Sequence, residues 1–332
     1  MLAISEFDLI KDYFNKSGLI PTTEQSARIP LGIGDDCAVI DLPPERLLAV
    51  SMDTLVADVH FPAKADSGLI AQRALAVNLS DLAAMGAEPL AFTLALSLPK
   101  VEEAWLQGFS LGLEQMIQKY RCPLIGGDIT KGPLSITIQV HGLLERGKIL
   151  RRDSARPGEL VYVSGELGAA GLAVSLLGNG MSLDKPDTKE LHSAYYQPVP
   201  RVILGQSIAG IASAAIDISD GLMADLGHIA EQSGVGIVLN AKAIPISKAV
   251  KNFMGAMGDK SKGLNLALTA GDEYELALTV AEDQQEELQQ KAAEINVPLT
   301  LIGRVVKGSR VKCLDSDGRE IDIKNSGYRH FS

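Results

Sequence analysis

The chain has 332 residues, 46% of them hydrophobic, and a formal net charge of −10. It is long for one hydrophobic core, so two domains are expected. The acidic balance excludes nucleic acid and anionic membrane surfaces as partners, because phosphate-rich surfaces attract basic faces.

Cys37, Cys122 and Cys313 are few, odd in number and widely spaced. That fits neither a disulfide framework nor a zinc site and points to a reducing, cytoplasmic compartment. The N-terminus, M-L-A-I-S-E-F-D-L-I-K-D-Y-F, contains acids and spaces Ile4, Phe7, Ile10 and Phe14 like one face of an amphipathic helix, which is not a signal-peptide pattern. The longest apolar run, around Leu90 to Leu98, falls far short of the roughly 20 residues of a membrane span.

After a polar connection, G-I-G-D-D-C-A-V (Gly32 to Val39) reads as a turn feeding a short strand, with Cys37 a small buried hydrophobe. Asp35 and Asp36 are adjacent there, and like charges held together raise one another's pKa unless a cation or hydrogen-bond donors offset them. On these residues alone, a tight turn and a metal site both fit. Arg46 to Val56 is a predicted strand whose Leu-Leu-Ala-Val core is buried and which delivers Ser51, Asp53 and Thr54 at its end, where the sites of mixed α/β folds collect. His60 follows in a loop and by itself decides nothing.

Ser67 to Met85 has helical spacing of its apolar residues, and Asn78 and Asp81, three apart, share a face within it. A buried carboxylate without a partner costs several kcal/mol, so Asp81 is a candidate metal ligand. Gly86 to Pro89 stops the helix, Leu90 to Leu98 is the next strand, and Trp105 to Tyr120 a second long helix. Then Leu124-Ile125-Gly126-Gly127-Asp128-Ile129-Thr130 reads as strand, paired glycines and aspartate. The glycines either admit close backbone approach to a phosphate or form a plain turn before a strand from Leu134 to Gly142.

Between Glu145 and Gly158 the composition turns to charge, with Arg146, Lys148, Arg151, Arg152, Asp153 and Arg156. This marks the expected boundary between domains 1–148 and 149–332, and an arginine here would also suit a phosphate. A strand Leu160 to Ser164 and a glycine-rich helix start follow. Ala214 to Ala230 then repeats the strand-to-helix pattern and delivers Asp217, Ser219 and Asp220. A helix N-cap explains Ser219 or Asp220 and leaves Asp217 unaccounted for. Leu264 to Val280 reads as a hairpin with Gly271-Asp272-Glu273-Tyr274-Glu275 at its turn, followed by helix Asp283 to Ile295, strand Leu299 to Val306 and a closing G-Y-R-H-F.

Asp35, Asp36, Asp53, Asp81, Asp128, Asp217, Asp220 and Asp272 thus sit at strand ends, at glycine turns or in an apolar helix. Together they suggest a multi-carboxylate pocket for hard cations, since Mg²⁺ takes carboxylate oxygens, water and substrate phosphates. There is no G-x-x-x-x-G-K-[ST], H-E-x-x-H or G-x-S-x-G. Metal-assisted phosphoryl transfer, in which the protein positions and neutralises charge, needs this inventory.

The motifs G-I-G-D-D-C-A, S-M-D-T-L-V, N-L-S-D-L-A-A-M-G-A-E-P, I-G-G-D, D-I-S-D-G-L, G-D-E-Y-E-L and G-Y-R-H-F, in this order over essentially the whole chain, resemble those of the thiamine-monophosphate kinase family. N-L-S-D-L-A-A-M-G is shared more loosely with relatives of aminoimidazole ribonucleotide synthetase. The resemblance implies a two-domain α/β (α+β), synthetase-like fold that dimerises through N-terminal strands forming a barrel, with the C-terminal α/β domain completing the site. It also implies transfer of the ATP γ-phosphate onto thiamine monophosphate with several Mg²⁺ ions. Carried over by position, the metal ligands are Asp36, Ser51, Asp53, Asp81, Asp128, Asp217 and Asp220, with Met52 as a backbone carbonyl, and Asp53, Asp128 and Asp220 are the catalytic set. Nucleotide contacts fall on Tyr120, Gly127, Asp128, Arg152 and Ser219, and acceptor contacts on His60, Asp272 and Tyr328, with Glu273 an alternative to Asp272. The rivals are a synthetase of the same superfamily, activating an amide or accepting a selenide, and a non-catalytic metal-binding protein. No cysteine precedes Cys37 to serve a selenide, and the acids are dispersed rather than gathered in one loop.

Overall fold

The computed structural model describes residues 6–256 and 260–323. Two compact units emerge: one comprises the described residues through Leu82 together with Ala87–Arg146, the other Ala83–Gly86 together with the described residues from Gly147 onward.

The first unit opens with a short helical segment, α1 (Glu6–Leu9), continued by a π-helical turn to Phe14. Its sheet holds β1 (Arg46–Val56), β2 (Glu88–Leu98), β3 (Leu124–Lys131) and β4 (Ser135–Glu145) in the order β1-β4-β2-β3. β4 pairs antiparallel with both β1 and β2, while β2 and β3 run parallel. Alternation sets the faces: Ile136, Ile138 and Val140 of β4 and Phe92, Leu94, Leu96 and Leu98 of β2 are buried. Helices α2 (Ser67–Met85) and α3 (Glu103–Tyr120) meet where Gly112 lies against the Gly68 backbone, a contact that a Cβ would block. α2 is buried over most of its surface, with Arg73, Asn78 and Ser80 enclosed and Asp81 half-buried.

β1 departs from expectation. It forms over Arg46–Val56, but it is an edge strand, and Leu48, Val50 and Met52 are 41%, 53% and 59% exposed. These three alternate with Ser51, Asp53 and Leu55, so a run read as wholly buried has one inward and one outward face. The segment Gly32 to Val39 contains only isolated bridges, Leu31 to Val39 and Ile33 to Asp35, rather than a strand, and this leaves Cys37 exposed instead of buried. Gly126, Gly127 and Asp128 lie inside β3, not in a turn. Gly127 pairs with Leu94 so closely that a Cβ would strike the Leu94 carbonyl; the glycine serves strand pairing.

The second unit carries a six-stranded sheet, β10-β7-β9-β5-β8-β6. Its strands are β5 (Leu160–Ser164), β6 (Ala214–Asp217), β7 (Gly236–Asn240), β8 (Leu276–Val280), β9 (Leu299–Val306) and β10 (Val311–Leu314). Its helices are α4 (Ala169–Gly178), α5 (Lys189–Tyr196), α6 (Val202–Ile208), α7 (Leu222–Ser233), α8 (Lys248–Ala256), α9 (Lys260–Thr269) and α10 (Gln285–Glu294). β5, β6 and β8 are buried throughout, and Val161, Ile216, Leu226, Ile229, Ile237, Leu268 and Ala277 belong to one core cluster. The hairpin expected over Leu264 to Val280 is instead helix α9, an irregular segment and strand β8. The alternating Leu264, Leu266 and Leu268 look strand-like, but Leu264, Ala267 and Leu268 supply the helical spacing that is packed into the core.

Candidate active site

In the first unit, β1 and α2 place polar groups face to face. The Asp53 backbone N–H donates to Asn78 Oδ1 at 3.0 Å, and Asn78 Nδ2 donates to the Ala74 carbonyl at 2.9 Å, so the fully buried amide is satisfied at both ends. Ser51 Oγ donates to Asp81 Oδ2. Burial, and secondly the Asp81 charge, push the Asp53 carboxyl from its usual 3.8 up to about 6. Two carboxylates and a hydroxyl, with one carboxylate strained by desolvation and by its neighbour, form a set of hard oxygen donors suited to a divalent cation.

Asp128 does not join them within this sheet. Asp53, Ile138, Leu94 and Gly127 form one row across β1, β4, β2 and β3, while Thr54, Thr137, Ala95 and Asp128 form the next. Three strand spacings separate β1 from β3, roughly 14 Å at about 4.8 Å each. Asp53 and Asp128 therefore cannot share one ion within the same unit. Asp36 is exposed in the bridged loop, where its N–H donates to Asp35 Oδ1 at 3.0 Å. Met52 points outward, which leaves only its backbone for a cation. His60 Nδ1 accepts the Val56 N–H at 3.0 Å, which fixes the other ring nitrogen as the proton-bearing one in the neutral state. The Tyr120 hydroxyl is buried without a hydrogen-bond partner among the described residues, and Gly127 is exposed.

The second unit presents two loops bonded to each other. The first, Ile218 to Gly221, follows β6, which ends at the buried Asp217. Neither Ser219 nor Asp220 caps α7: Gly221 holds the cap position, and Asp225 Oδ2, from the first turn of the helix, accepts the N–H groups of Ser219 (3.1 Å), Asp220 (3.1 Å) and Gly221 (3.0 Å). Burial pushes Asp225 up to about 7, against the pull of those three donors. Asp220, Asp225 and His228 bring one ligand atom each within 4.8 Å of one another. Sequence reading missed Asp225 and His228; an acid four residues beyond the glycine that opens a helix was the available signal.

The second loop is Ala270 to Glu275. Gly271 sits against the Ser219 carbonyl, Asp272 N–H donates to that carbonyl at 2.9 Å, Tyr274 N–H donates to the Ile218 carbonyl at 2.9 Å, and Ile218 N–H donates to the Glu275 carbonyl at 2.8 Å. Asp272 and Tyr274 have φ of 67° and 52°, a left-handed conformation that costs a side-chain-bearing residue on the order of 1–3 kcal/mol. Glu273 Oε1 accepts the N–H groups of Gly168 (2.9 Å) and Gly171 (3.3 Å) at the start of α4. Glu275, buried, is gripped by Arg201 through both carboxylate oxygens, Nε to Oε2 at 2.6 Å, and accepts from Ser164 Oγ. Two acids of G-D-E-Y-E-L, Glu273 and Glu275, thus hold the loop, while Asp272 accepts from the Tyr274 hydroxyl at 3.0 Å. In the charged linker, Arg151 is tied to Asp153 at 2.8 Å, and the Arg152 carbonyl accepts the Ser233 hydroxyl at 2.8 Å.

AIR synthase related protein, N-terminal domain, matches residues 34–144, and its C-terminal domain matches residues 156–315. The thiamine-monophosphate kinase of Escherichia coli (strain K12) is 40% identical, with 100% of this chain and 99% of that protein covered. The chain belongs to the thiamine-monophosphate kinase family. Within that family, the crystal structure from Stenotrophomonas maltophilia K279a has a TM-score of 0.83 at 41% identity, covering 90% of this chain and 95% of that one. AaThiL complexed with AMPPCP and TMP has a TM-score of 0.78 at 30% identity, covering 90% and 92%. The two-domain, mixed α/β architecture of the family is the one described above. Tyr328, an expected acceptor contact in the closing G-Y-R-H-F, lies outside the described residues. Among the described residues no helix is long and apolar enough to cross a membrane.

Proposed function

We propose that this chain moves the γ-phosphate of ATP onto the phosphate of thiamine monophosphate, giving thiamine diphosphate and ADP. The observation that carries the reading is 40% identity to a thiamine-monophosphate kinase over the entire chain. It is supported by likeness to a relative complexed with AMPPCP, a nucleotide of ATP shape, and TMP. An acceptor phosphate oxygen attacks the γ-phosphorus; one O–P bond forms, the bond from the γ-phosphorus to the β,γ-bridging oxygen breaks, and ADP leaves with the electron pair. The acceptor is already an anion, so no base has to remove a proton, and the protein needs only to position the reactants and neutralise their charge.

Asp53, Asp81 and Ser51 fit a divalent cation, since an ion offsets both the burial and, secondly, the Asp81 repulsion that push Asp53 up to about 6. We assign them, with Asp36, the Met52 carbonyl, Asp128, Asp217 and Asp220, to several Mg²⁺ ions. When bound, Mg²⁺ supplies positive charge to the phosphate oxygens in the transition state. Tyr120, Gly127, Arg152 and Ser219 are assigned to the nucleotide, and His60, Asp272 and Tyr328 to the acceptor. The division into domains 1–148 and 149–332 and a cytoplasmic setting belong to the same reading. So does a homodimer built through N-terminal strands: Leu48, Val50 and Met52 form an apolar row on an edge strand, a surface that a second copy would cover.

The test is incubation of the full chain with ATP, Mg²⁺ and thiamine monophosphate, scoring thiamine diphosphate, with free thiamine and aminoimidazole precursors as controls. Turnover with the monophosphate alone is expected, from a species sedimenting as two chains. Comparable turnover of free thiamine would refute phosphate as the acceptor, and a monomer would remove the dimer from the reading.

A further inference from the structure

The acceptor loop contains one aromatic hydroxyl that has no role in the proposed transfer. Along Asp272-Glu273-Tyr274-Glu275 the side chains have separate partners. Glu273 is taken by the start of α4 and Glu275 by Arg201 and Ser164, while Tyr274 Oη donates to Asp272 Oδ1 at 3.0 Å. For these two side chains to meet, both residues adopt left-handed backbone, a conformation aspartate tolerates and tyrosine rarely takes. Glu275, bonded on both flanks, and the backbone bonds to Ile218 and Ser219 hold them there. A bulky residue kept in an unfavourable conformation beside a functional acid invites a functional explanation.

We propose that Tyr274 is a positioning and specificity residue for the acceptor: its hydroxyl fixes the carboxylate of Asp272, and its ring flanks that carboxylate with an aromatic surface. The combination suits a flat organic cation, which gains from a charge partner and from a π-face, and a thiazolium joined to an aminopyrimidine is such a ligand. This rests on the reading that Asp272 receives the acceptor. Tyr274 acts through Asp272 and takes no part in the bonds that change.

The test compares Tyr274→Phe, Tyr274→Ala, Asp272→Asn and the Tyr274→Phe/Asp272→Asn double variant by steady-state kinetics with each substrate varied in turn. Tyr274→Phe keeps the ring and loses the hydrogen bond; KM for thiamine monophosphate should rise about tenfold, the equivalent of roughly 1.4 kcal/mol, with kcat, KM for ATP and the melting temperature little changed. Tyr274→Ala should raise that KM further. The double variant should be no worse than Asp272→Asn, because the hydroxyl then positions an amide that no longer carries the charge on which it acts. If Asp272→Asn raises KM for the acceptor and Tyr274→Phe does not, the role of Tyr274 falls alone. If Asp272→Asn has no effect, the placement of the acceptor falls and takes the role of Tyr274 with it. Equal losses for ATP and acceptor in Tyr274→Phe would mean a structural role and would also overturn it.

Discussion

The two units hold their polar residues by opposite means. In the first, Ser51, Asp53, Asn78 and Asp81 stand on a strand and a helix, and the regular backbone aims them at one another. In the second, Asp217 ends a strand, but Ser219, Asp220 and Asp272 lie on irregular loops that would have many conformations if left alone. There the fixing is done by other acids: Asp225 collects three backbone N–H groups, Glu273 collects two, and Glu275 is clamped by Arg201. A site on regular elements is precise through its scaffold, whereas a site on loops needs a supporting layer that has no part in the chemistry.

The largest expected effect breaks the first arrangement. Asp53→Asn should cut turnover at saturating Mg²⁺ by more than tenfold, since losing a charged contact to the ions costs more than the roughly 1.4 kcal/mol that a decade represents. Without Mg²⁺ the variant should melt no lower than the parent, because the amide replaces a carboxylate that burial and Asp81 already disfavour. Activity above a tenth of the parent would remove Asp53 from the metal set.

The next probes the second arrangement. Asp225→Ala leaves the N–H groups of Ser219, Asp220 and Gly221 without their acceptor, at about 1–3 kcal/mol for a buried donor left unsatisfied. Urea unfolding should show a loss of about that size, and Asp225→Asn, which keeps an acceptor oxygen, a smaller one. Equal stability of Asp225→Ala and the parent would show that the loop is held without this carboxylate.

The same contrast decides what was legible in the sequence. Ser67–Met85, Leu160–Ser164 and Leu299–Val306 form at the expected bounds, because apolar periodicity reports regular elements directly. Asp81 was legible for the same reason: a carboxylate interrupts an otherwise apolar helix. Asp225 and Glu275 were not, since acids near helix starts and turns are ordinary, and only the fold shows which N–H or guanidinium each receives. The outward face of β1 was also missed, because Leu-Leu-Ala-Val looks the same whether its second face meets a core or an open edge. Gly126-Gly127 pointed to a turn, phosphate-binding or plain, while the close pairing of Gly127 with Leu94 was a fact of tertiary structure.

The smallest effect separates holding from chemistry at a single residue. Burial pushes Glu273 from 4.5 up to about 8, outweighing the N–H groups of Gly171 and Gly168 that favour its anion. A raised pKa means that the folded state binds this proton more tightly than the unfolded state. The stability it contributes is therefore full below pH 4.5, is lost as pH rises toward about 8, and stays lost above. Glu273→Gln keeps an oxygen for Gly168 and Gly171 and cannot ionise. Its melting temperature should match the parent's near pH 4 and exceed it by a margin that grows up to about pH 8 and is constant above. A helix start also attracts anions, typically by about 0.3–1 kcal/mol, which opposes this trend. A margin that shrinks with pH would show that the start of α4 stabilises the ionised carboxylate more than burial penalises it. A growing margin would establish that this loop is secured by a group held most firmly in its neutral form, in contrast to Asp53, which we assign to bound cations that favour its charge.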